Sequence, residues 1–296
     1  MLTNSNQIIT IDNLSSNLDE QEIIEASKNY IDQLTLKISK FEEINEAERQ
    51  KLFTIFNKNK FVVIETEPFP NPQANLLALQ KVFGSIIRHK RSDENGIVSV
   101  ENLGSYPSDN AQLLSATNQM FSMHTDGTYE IEAPKVVAMQ CVIPANNGGF
   151  SQIVYAASVY DYLMENYPQE LQSLFSHPLT ITRGNQTATR AIFVELGGRI
   201  SMTFRADPVV SIIIPPPIEK VFNVIKNYIN ASSNQLIFKL KPNQILVIDN
   251  TSVLHGRTSF PDNEVRKLNR LCFDGISEYS HHLEFGFIPK SKFSNS

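Results

Sequence analysis

Two imidazoles and one carboxylate stand in this sequence at a spacing that could hold a metal ion. His124 and Asp126 are separated by one residue in the run NQMFSMHTDGTYE. In a β-strand, residues i and i+2 project from the same face, so these two side chains can aim at one point. A three-residue match is weak evidence alone, so a third ligand is needed.

The second part of the candidate metal site is His255, in QILVIDNTSVLHGRTSF. The apolar run ILVID is followed by a turn-forming Asp-Asn pair, after which VLH would return the imidazole to the interior of a sheet. Two neutral imidazoles and one carboxylate on one face of an octahedral Fe(II) leave three adjacent positions for a cosubstrate and O2. A zinc hydrolase could use the same ligand types, so these three residues leave the reaction open.

Two arginines that follow His255 favour one of these chemistries. The run NEVRKLNRLCFDG places Arg266 and Arg270 on one face of a predicted strand. They would lie about 13 Å apart at about 3.3 Å per residue, so we expect them to hold different anionic groups. A planar guanidinium clamps a carboxylate through two hydrogen bonds, which suits the distal carboxylate of 2-oxoglutarate. A ladder of salt bridges on a solvated sheet face is the alternative, and the proximity to His255 favours the anion site.

The elements that must position these residues follow from the apolar patterning. The first sixty residues are acidic and carry apolar positions at helical spacing, which predicts two helices. KFVVIET (60–66) reads as a strand, and ANLLALQKVFG as a helix closed by Gly84. From about residue 96, short β runs alternate with turn-formers and predict an antiparallel β core. Two further helices are predicted at 157–175 and 218–230.

This order of elements predicts a mostly β fold with flanking helices and a double-stranded β-helix (jelly-roll) core. We expect a single domain over residues 1–296, with a helical portion (1–58) packed on the catalytic jelly roll (59–296).

Composition and charge exclude several classes of protein. The chain has 296 residues, a hydrophobic fraction of 41% and a net charge of −5, so nothing suggests a broad basic field for nucleic acid. No basic segment precedes an apolar run at the start, and no apolar run approaches the roughly 20 residues of a membrane span. Cys141 and Cys272 lie in apolar runs that suit buried, reduced thiols. We therefore expect a cytoplasmic protein with a small-molecule partner; its oligomeric state stays open, with a homodimer as one option.

The combined motifs resemble the family of Fe(II)- and 2-oxoglutarate-dependent enzymes that includes taurine dioxygenase and clavaminate synthase. They are HTD at 124–126, NNGGFS with Ser151, LHGRTSF with His255, and Arg266 with Arg270, and the resemblance covers roughly residues 55–275. It implies a double-stranded β-helix that binds Fe(II) and uses 2-oxoglutarate and O2.

The same resemblance implies individual roles. His124, Asp126 and His255 would bind the metal and support catalysis, and Arg266 would bind the far carboxylate of 2-oxoglutarate. Ser151 falls where the family commonly has a threonine hydroxyl that assists this carboxylate. Arg270 matches a position that contacts the anionic group of the substrate in several members.

The identity of one predicted metal ligand narrows the range of possible reactions. Related halogenases replace the carboxylate ligand with a small residue so that halide can coordinate the metal, whereas this chain carries Asp126. Hydroxylation or desaturation is therefore favoured over halogenation, and the sequence does not choose between them.

Three further residues are candidates for contact with the substrate, and each has a plainer interpretation. Asn102 could be a turn residue, Tyr129 a packing aromatic and Arg205 a surface charge at the end of a strand. The segment between Arg183 and Arg190 could be a lid or a solvated loop.

The runs HTDGTYE, NNGGFS and NTSVLHGRTSFP also resemble the dioxygenases that accompany isonitrile synthases in bacterial secondary metabolism. This resemblance favours an amino-acid-derived substrate of the tyrosine isonitrile type. A sulfonate or a free amino acid remains an alternative substrate. A non-oxidative, cupin-like metal enzyme and a non-catalytic jelly-roll binding protein are the alternative classes.

Overall fold

Local capping and Pro placement define several helix boundaries in the computed structural model, which describes residues 19–68, 70–102 and 114–290. Asp19 and Glu22 form a capping box at the start of the first helix, and Asn45 and Glu48 form another at the second. Within the described ranges the helices are α1 (Glu20–Leu34), α2 (Glu46–Asn59), α3 (Gln73–Ala78), α4 (Gln80–Phe83), α5 (Ala156–Asn166), α6 (Pro168–Ser176) and α7 (Pro216–Asn230).

The strands alternate with these helices along the chain and are rich in β-branched and aromatic residues. They are β1 (Thr35–Ile38), β2 (Phe61–Thr66), β3 (Val98–Glu101), β4 (Phe121–His124), β5 (Val136–Ile143), β6 (Ser151–Tyr155), β7 (Leu179–Arg183), β8 (Gln186–Arg190), β9 (Phe193–Leu196), β10 (Arg199–Met202), β11 (Ser211–Ile213), β12 (Leu236–Phe238), β13 (Gln244–Asp249), β14 (Val253–Arg257) and β15 (Lys267–Phe273).

The two larger sheets lie in separate layers. One has six strands in the order β1-β2-β13-β5-β15-β3, and the other has four in the order β12-β6-β14-β4. The pair β1 and β2 is parallel, whereas the other paired strands of both sheets are antiparallel. The smaller sheets are the hairpin β9–β10 and a three-stranded sheet in which β7 lies between β8 and β11.

Alternation of side chains along the strands explains the layering. On β13, Ile245 and Val247 pack in the cluster that contains α2, α3 and α4, whereas Leu246 and Ile248 pack in the cluster shared with the four-stranded sheet. On β14, Leu254 packs instead with α5, α6 and α7. The order of layers is therefore helices, six-stranded sheet, four-stranded sheet, helices.

The structure corrects several predicted boundaries. The helix expected to end at Gly84 is split into α3 and α4, although Gly84 does follow the second piece. The helix expected over 157–175 ends at Asn166, and α6 starts at Pro168, because proline lacks the N–H needed to continue a helix and is tolerated in the first turn. The segment 183–190 belongs mainly to the hairpin β7–β8 and is not a solvated loop.

None of the helices in the described part of the chain combines the length and the apolar character that crossing a bilayer requires.

Candidate active site

His124, Asp126 and His255 come together between the two larger sheets. His124 ends β4 and faces His255 on β14 as its cross-strand partner, with ring centroids 4.5 Å apart. One ligand atom from each of the three residues lies within 4.8 Å of the others, and all three side chains are buried. The three predicted ligands therefore form one cluster.

A glycine lets the two histidine strands approach each other. A Cβ at Gly256 would lie 2.7 Å from the Phe121 carbonyl oxygen and 2.7 Å from Met123 Sδ. The register between β14 and β4 shifts at this point, between His255 and Arg257. Any side chain here would push β4 away, so Gly256 supports the distance between the two imidazoles.

The protonation of the imidazoles suits metal binding. His124 Nδ1 lies 2.8 Å from the Ser122 carbonyl oxygen. Since a carbonyl only accepts, Nδ1 donates to it, and Nε2 faces Asp126, 3.4 Å from its Oδ1. Burial, followed by the influence of the neighbouring His124, lowers the pKa of His255 to about 3, so its ring is neutral. His124 Nε2 and His255 Nδ1 are buried with no hydrogen-bond partner among the described residues.

The carboxylate of the cluster is held ionised by a neighbouring cation. Burial would raise the pKa of Asp126, but the charge of Arg270, followed by the influence of His124, outweighs it and holds this pKa well below its usual value. Arg270 Nη1 donates to Asp126 Oδ2 at 2.9 Å. Arg270, predicted to meet the anionic group of the substrate, is thus paired with the carboxylate that completes the triad.

A buried asparagine that the motif analysis missed fixes the backbone of Asp126. The Asp126 N–H donates to Asn250 Oδ1 at 2.7 Å, and Asn250 Nδ2 donates back to the Asp126 carbonyl at 3.0 Å. In the sequence, Asn250 looked like a turn former only. A buried amide with both ends engaged is well suited to hold one peptide group in place.

The surroundings of Arg266 form a second part of the site. Arg266 is 5% exposed, and its Nε donates to the Gly149 carbonyl at 3.0 Å. Gly149 has φ +63°, and a Cβ there would lie 2.9 Å from Arg266 Cδ, so the NNGG turn makes room for the arginine. Ser151, two residues further, is buried and is the cross-strand partner of Arg257.

Arg257 was also missed, although it lies in the HGR motif itself. Its Nη2 donates to the carbonyls of Thr117 (2.8 Å) and Gln119, the segment that leads into β4. Burial lowers the pKa of Arg266 to about 10, and burial together with the charge of Arg266 lowers the pKa of Arg257 to about 9. Among the described residues, no carboxylate pairs with either guanidinium. An anionic ligand fits this buried, positively charged end.

Arg205 is buried, which overturns its interpretation as a surface charge at a strand end. It is 2% exposed, and its Nε lies 2.5 Å from Asp207 Oδ2. Its guanidinium carbon lies 5.5 Å from the centre of the Phe121 ring and 5.7 Å from that of Tyr129.

Tyr129 and Asn102 have different surroundings. Tyr129 is 4% exposed, and its hydroxyl accepts a hydrogen bond of 2.8 Å from Arg183 Nη1, which ties the hairpin β7–β8 to the chain just after Asp126. Asn102 is half-buried directly after β3, and the contacts described for the triad do not include it.

A cavity of about 770 Å³ lies outside the metal cluster. Its walls are the segments 88–90, 129–132 and 185–187, the last at the tip of the hairpin β7–β8. A small inner cavity shares His89 and Tyr129 with it and reaches Asp126 and Arg270. The larger cavity falls in the usual size range of small-molecule sites.

The two facing sheets and the buried cluster of His124, Asp126 and His255 agree with the fold and the ligand set expected from the sequence motifs. The chain belongs to the family described as taurine catabolism dioxygenase TauD, TfdA family, whose model matches residues 21–272.

Individual relatives are distant. Human gamma-butyrobetaine dioxygenase is 26% identical over 188 residues, which cover 59% of this chain and 45% of that protein, so the chain spans about half the length of the curated relatives it matches. A solved asparagine oxygenase, in complex with Fe(II), 2S,3S-3-hydroxyasparagine and succinate, has a TM-score of 0.61 at 14% identity and covers 86% of this chain and 84% of that one. PvcB, an Fe, alpha-ketoglutarate dependent oxygenase from an isonitrile synthetic pathway, has a TM-score of 0.59 at 16% identity, over 81% and 85%.

Proposed function

We propose that this protein is an oxygenase that couples oxidation of 2-oxoglutarate to hydroxylation or desaturation of a small metabolite. The observation that carries this proposal is the buried group of two imidazoles and one ionised carboxylate, together with Arg266 and Arg257, two buried arginines that pair with no carboxylate among the described residues. We infer that His124, Asp126 and His255 hold Fe(II). Bound iron would bring O2 and 2-oxoglutarate together, giving succinate, CO2 and an oxidised substrate.

We infer that Arg266 binds the far carboxylate of 2-oxoglutarate. It is buried, stays protonated at neutral pH with a pKa of about 10, and offers a planar pair of donors. Ser151 adds a hydroxyl on the same sheet face as Arg257, its cross-strand partner. It lies two residues before Ile153, the cross-strand partner of His255. The positive charge of this end would draw the dianion in and fix its direction.

We infer a different role for Arg270 from the one that the sequence suggested. Its contact with Asp126 Oδ2 leaves Oδ1, the oxygen nearest His124 Nε2, to face the metal. Arg270 would therefore orient the carboxylate ligand, and any contact it makes with the substrate would be secondary.

We propose that the substrate is an amino-acid-derived metabolite, with the tyrosine isonitrile type as the leading candidate. A cavity of about 770 Å³ is large for a simple sulfonate and suits an aromatic amino-acid derivative. The fold shared with PvcB is compatible with this choice. Tyr129 lines both cavities, and it remains a predicted substrate contact together with Asn102 and Arg205.

The remaining assignments are proposals of the same kind. We infer that the two facing sheets are the halves of a double-stranded β-helix, with residues 59–296 as the catalytic part of a single domain over residues 1–296. The family relationship favours this oxidative role over a cupin-like hydrolase or a binding protein. We also propose a cytoplasmic enzyme that acts on a free small molecule.

The test is substrate-dependent succinate release by the Fe(II) enzyme with 2-oxoglutarate in air. Tyrosine isonitrile, L-tyrosine and taurine represent the three substrate classes, and Asp126→Ala is the control variant. We expect the isonitrile to stimulate succinate release most, with a product that has gained one oxygen or lost two hydrogens. Equal, unstimulated succinate release with all three compounds would contradict the proposed substrate class.

A further inference from the structure

Arg205 is a buried cation whose hydrogen bonds are incomplete. Its Nε is in ionic contact with Asp207 Oδ2 at 2.5 Å, but the N–H does not point at that oxygen. Nη2 is also buried, and within the described chain neither nitrogen has a hydrogen-bonded acceptor. A guanidinium is always charged, and burying one of its N–H groups without an acceptor is unfavourable. The described residues therefore leave these two N–H groups without an acceptor, and a bound ligand could supply one.

The backbone ties Arg205 to the metal-binding strand. The Thr125 N–H donates to the Phe204 carbonyl at 2.9 Å, and the Phe204 N–H donates to Thr125 Oγ1 at 3.1 Å. Thr125 lies between the two ligands His124 and Asp126. Arg205 is thus one residue from a segment that is hydrogen-bonded to the centre of the ligand motif.

Aromatic rings set the position of the guanidinium. Its carbon lies within 6 Å of the centres of the Phe121 and Tyr129 rings, a distance at which a cation is attracted to an aromatic face. The Phe121 ring lies 4.2 Å, centroid to centroid, from the His124 ring. Phe121 therefore lies close to both the Arg205 guanidinium and the His124 imidazole.

Asp207 lies against the Nε side of the arginine and leaves the opposite edge of the guanidinium available. Asp207 Oδ1 accepts from the Val209 N–H at 3.1 Å, which holds the carboxylate in place. Because the carboxylate meets Nε, the edge formed by the two terminal nitrogens remains for another partner. A carboxylate matches the two parallel donors of such an edge.

We propose that Arg205 is a second carboxylate-binding residue of the active site, separate from Arg266 and connected to the metal-ligand segment through Phe121 and Thr125. This inference rests on the proposed function. The carboxylate can come from two sources, the metal-side carboxylate of 2-oxoglutarate or a carboxylate on the substrate. The two sources require different binding measurements.

The variants are Arg205→Gln and the double variant Arg205→Gln/Asp207→Asn, which removes both charges of the buried pair and so avoids an unpaired carboxylate. Arg199→Gln is the matched control, because Arg199 pairs with Glu284 and lies outside the described contacts of the metal cluster. Arg205→Lys keeps the positive charge but lacks the planar pair of N–H donors that a guanidinium offers to a carboxylate.

The first arm measures the dissociation constant of 2-oxoglutarate for the anaerobic Fe(II) protein from its metal-to-ligand charge-transfer band. The second measures, by calorimetry on the Mn(II) and 2-oxoglutarate complex, the binding of N-formyl-L-tyrosine and of its carboxamide. Loss of a charged hydrogen-bonded contact should weaken binding about tenfold or more in one arm, in both Gln variants and not in Arg199→Gln.

A weaker affinity for 2-oxoglutarate assigns the carboxylate to the cosubstrate. Loss of the preference for N-formyl-L-tyrosine over its carboxamide assigns it to the substrate. No change in either arm overturns the proposal and leaves Arg205 as an internal ion pair. If the wild-type protein does not prefer the carboxylate compound, the tyrosine-derived substrate is contradicted, and the first arm alone decides the role of Arg205.

Discussion

Arg270 Nη1 lies 2.9 Å from Asp126 Oδ2, so a partly buried guanidinium holds the carboxylate oxygen that does not face His124. Groups that orient metal ligands usually contribute tenfold to a hundredfold to metal affinity. The contact therefore connects β15 to the metal cluster across the space between the two sheets.

We predict that Arg270→Gln weakens Mn(II) binding by about tenfold to a hundredfold, because Asp126 loses both its orientation and its compensating charge. Electron paramagnetic resonance of free Mn(II) measures the affinity. Arg270→Lys should recover part of the loss, since it keeps the charge and not the fork. Unchanged Mn(II) affinity in Arg270→Gln would show that the ion pair does not position the ligand.

We predict that Arg266→Gln raises the 2-oxoglutarate concentration needed for half-saturation by about 30-fold or more, since removal of one partner from a buried charge pair costs about 2 to 5 kcal/mol. The charge-transfer band reports the affinity without turnover. Arg199→Gln should leave it unchanged, because Arg199 is bound to Gly286 and Glu284. An Arg266→Gln protein with wild-type affinity would contradict the cosubstrate assignment.

We predict that Tyr129→Phe loosens the hairpin β7–β8, because it removes the hydroxyl that accepts from Arg183. Bonds to charged donors contribute about 1.5 to 3 kcal/mol, so amide hydrogen exchange across residues 179–190 should accelerate. Thr180→Val, which removes only a hydroxyl pair with Thr189 within the same hairpin, is the control. Equal exchange in Tyr129→Phe and the wild type would exclude this contact as the tie that holds the hairpin.

We predict that His89 makes the protein less stable in mild acid. Burial, followed by the charges of Arg270 and Arg91, lowers its pKa to about 4, from an ordinary value of about 6.5. Between these values the unfolded chain binds a proton that the folded chain does not, so the free energy of unfolding falls as the pH drops.

Thermal unfolding at pH 7 and pH 5 checks the predicted effect of His89 on stability. His89 Nδ1 accepts from the Arg91 N–H, and asparagine keeps an acceptor. The melting temperature of His89→Asn should therefore fall less between the two pH values than that of the wild type. An equal or larger fall would remove His89 as a source of acid sensitivity.

Most of the candidate metal site could be predicted from the sequence, because short local motifs carry its residues. His255 follows a strongly apolar strand and His124 ends β4, so strand alternation predicts that both imidazoles point inward. Asp126 was expected on the same strand but lies in the turn just after it, and it still reaches the cluster because only one residue separates it from His124. The break between α5 and α6 was harder to predict from the sequence. Periodicity at 157–175 hid the stop before Pro168, since both pieces continue the same apolar face.

Long-range polar partners could not be read from spacing. Asn250 and Asp126 are 124 residues apart, and only the sheet topology brings them into contact. The same is true of Arg270 and Asp126, 144 residues apart, whose pairing changes the role expected for the arginine. Arg205 looked like a strand-end charge because its burial depends on Phe121 and Tyr129, which pack on it from another part of the chain.

The most direct test of the central claim is the visible spectrum of the anaerobic protein with Fe(II) and 2-oxoglutarate. A site made by His124, Asp126 and His255 predicts a metal-to-ligand charge-transfer band in the wild type. It also predicts that the band is lost in His255→Ala, with a far-ultraviolet circular dichroism spectrum like that of the wild type. Absence of the band in the wild type, or its persistence in His255→Ala, would contradict the assignment of this site.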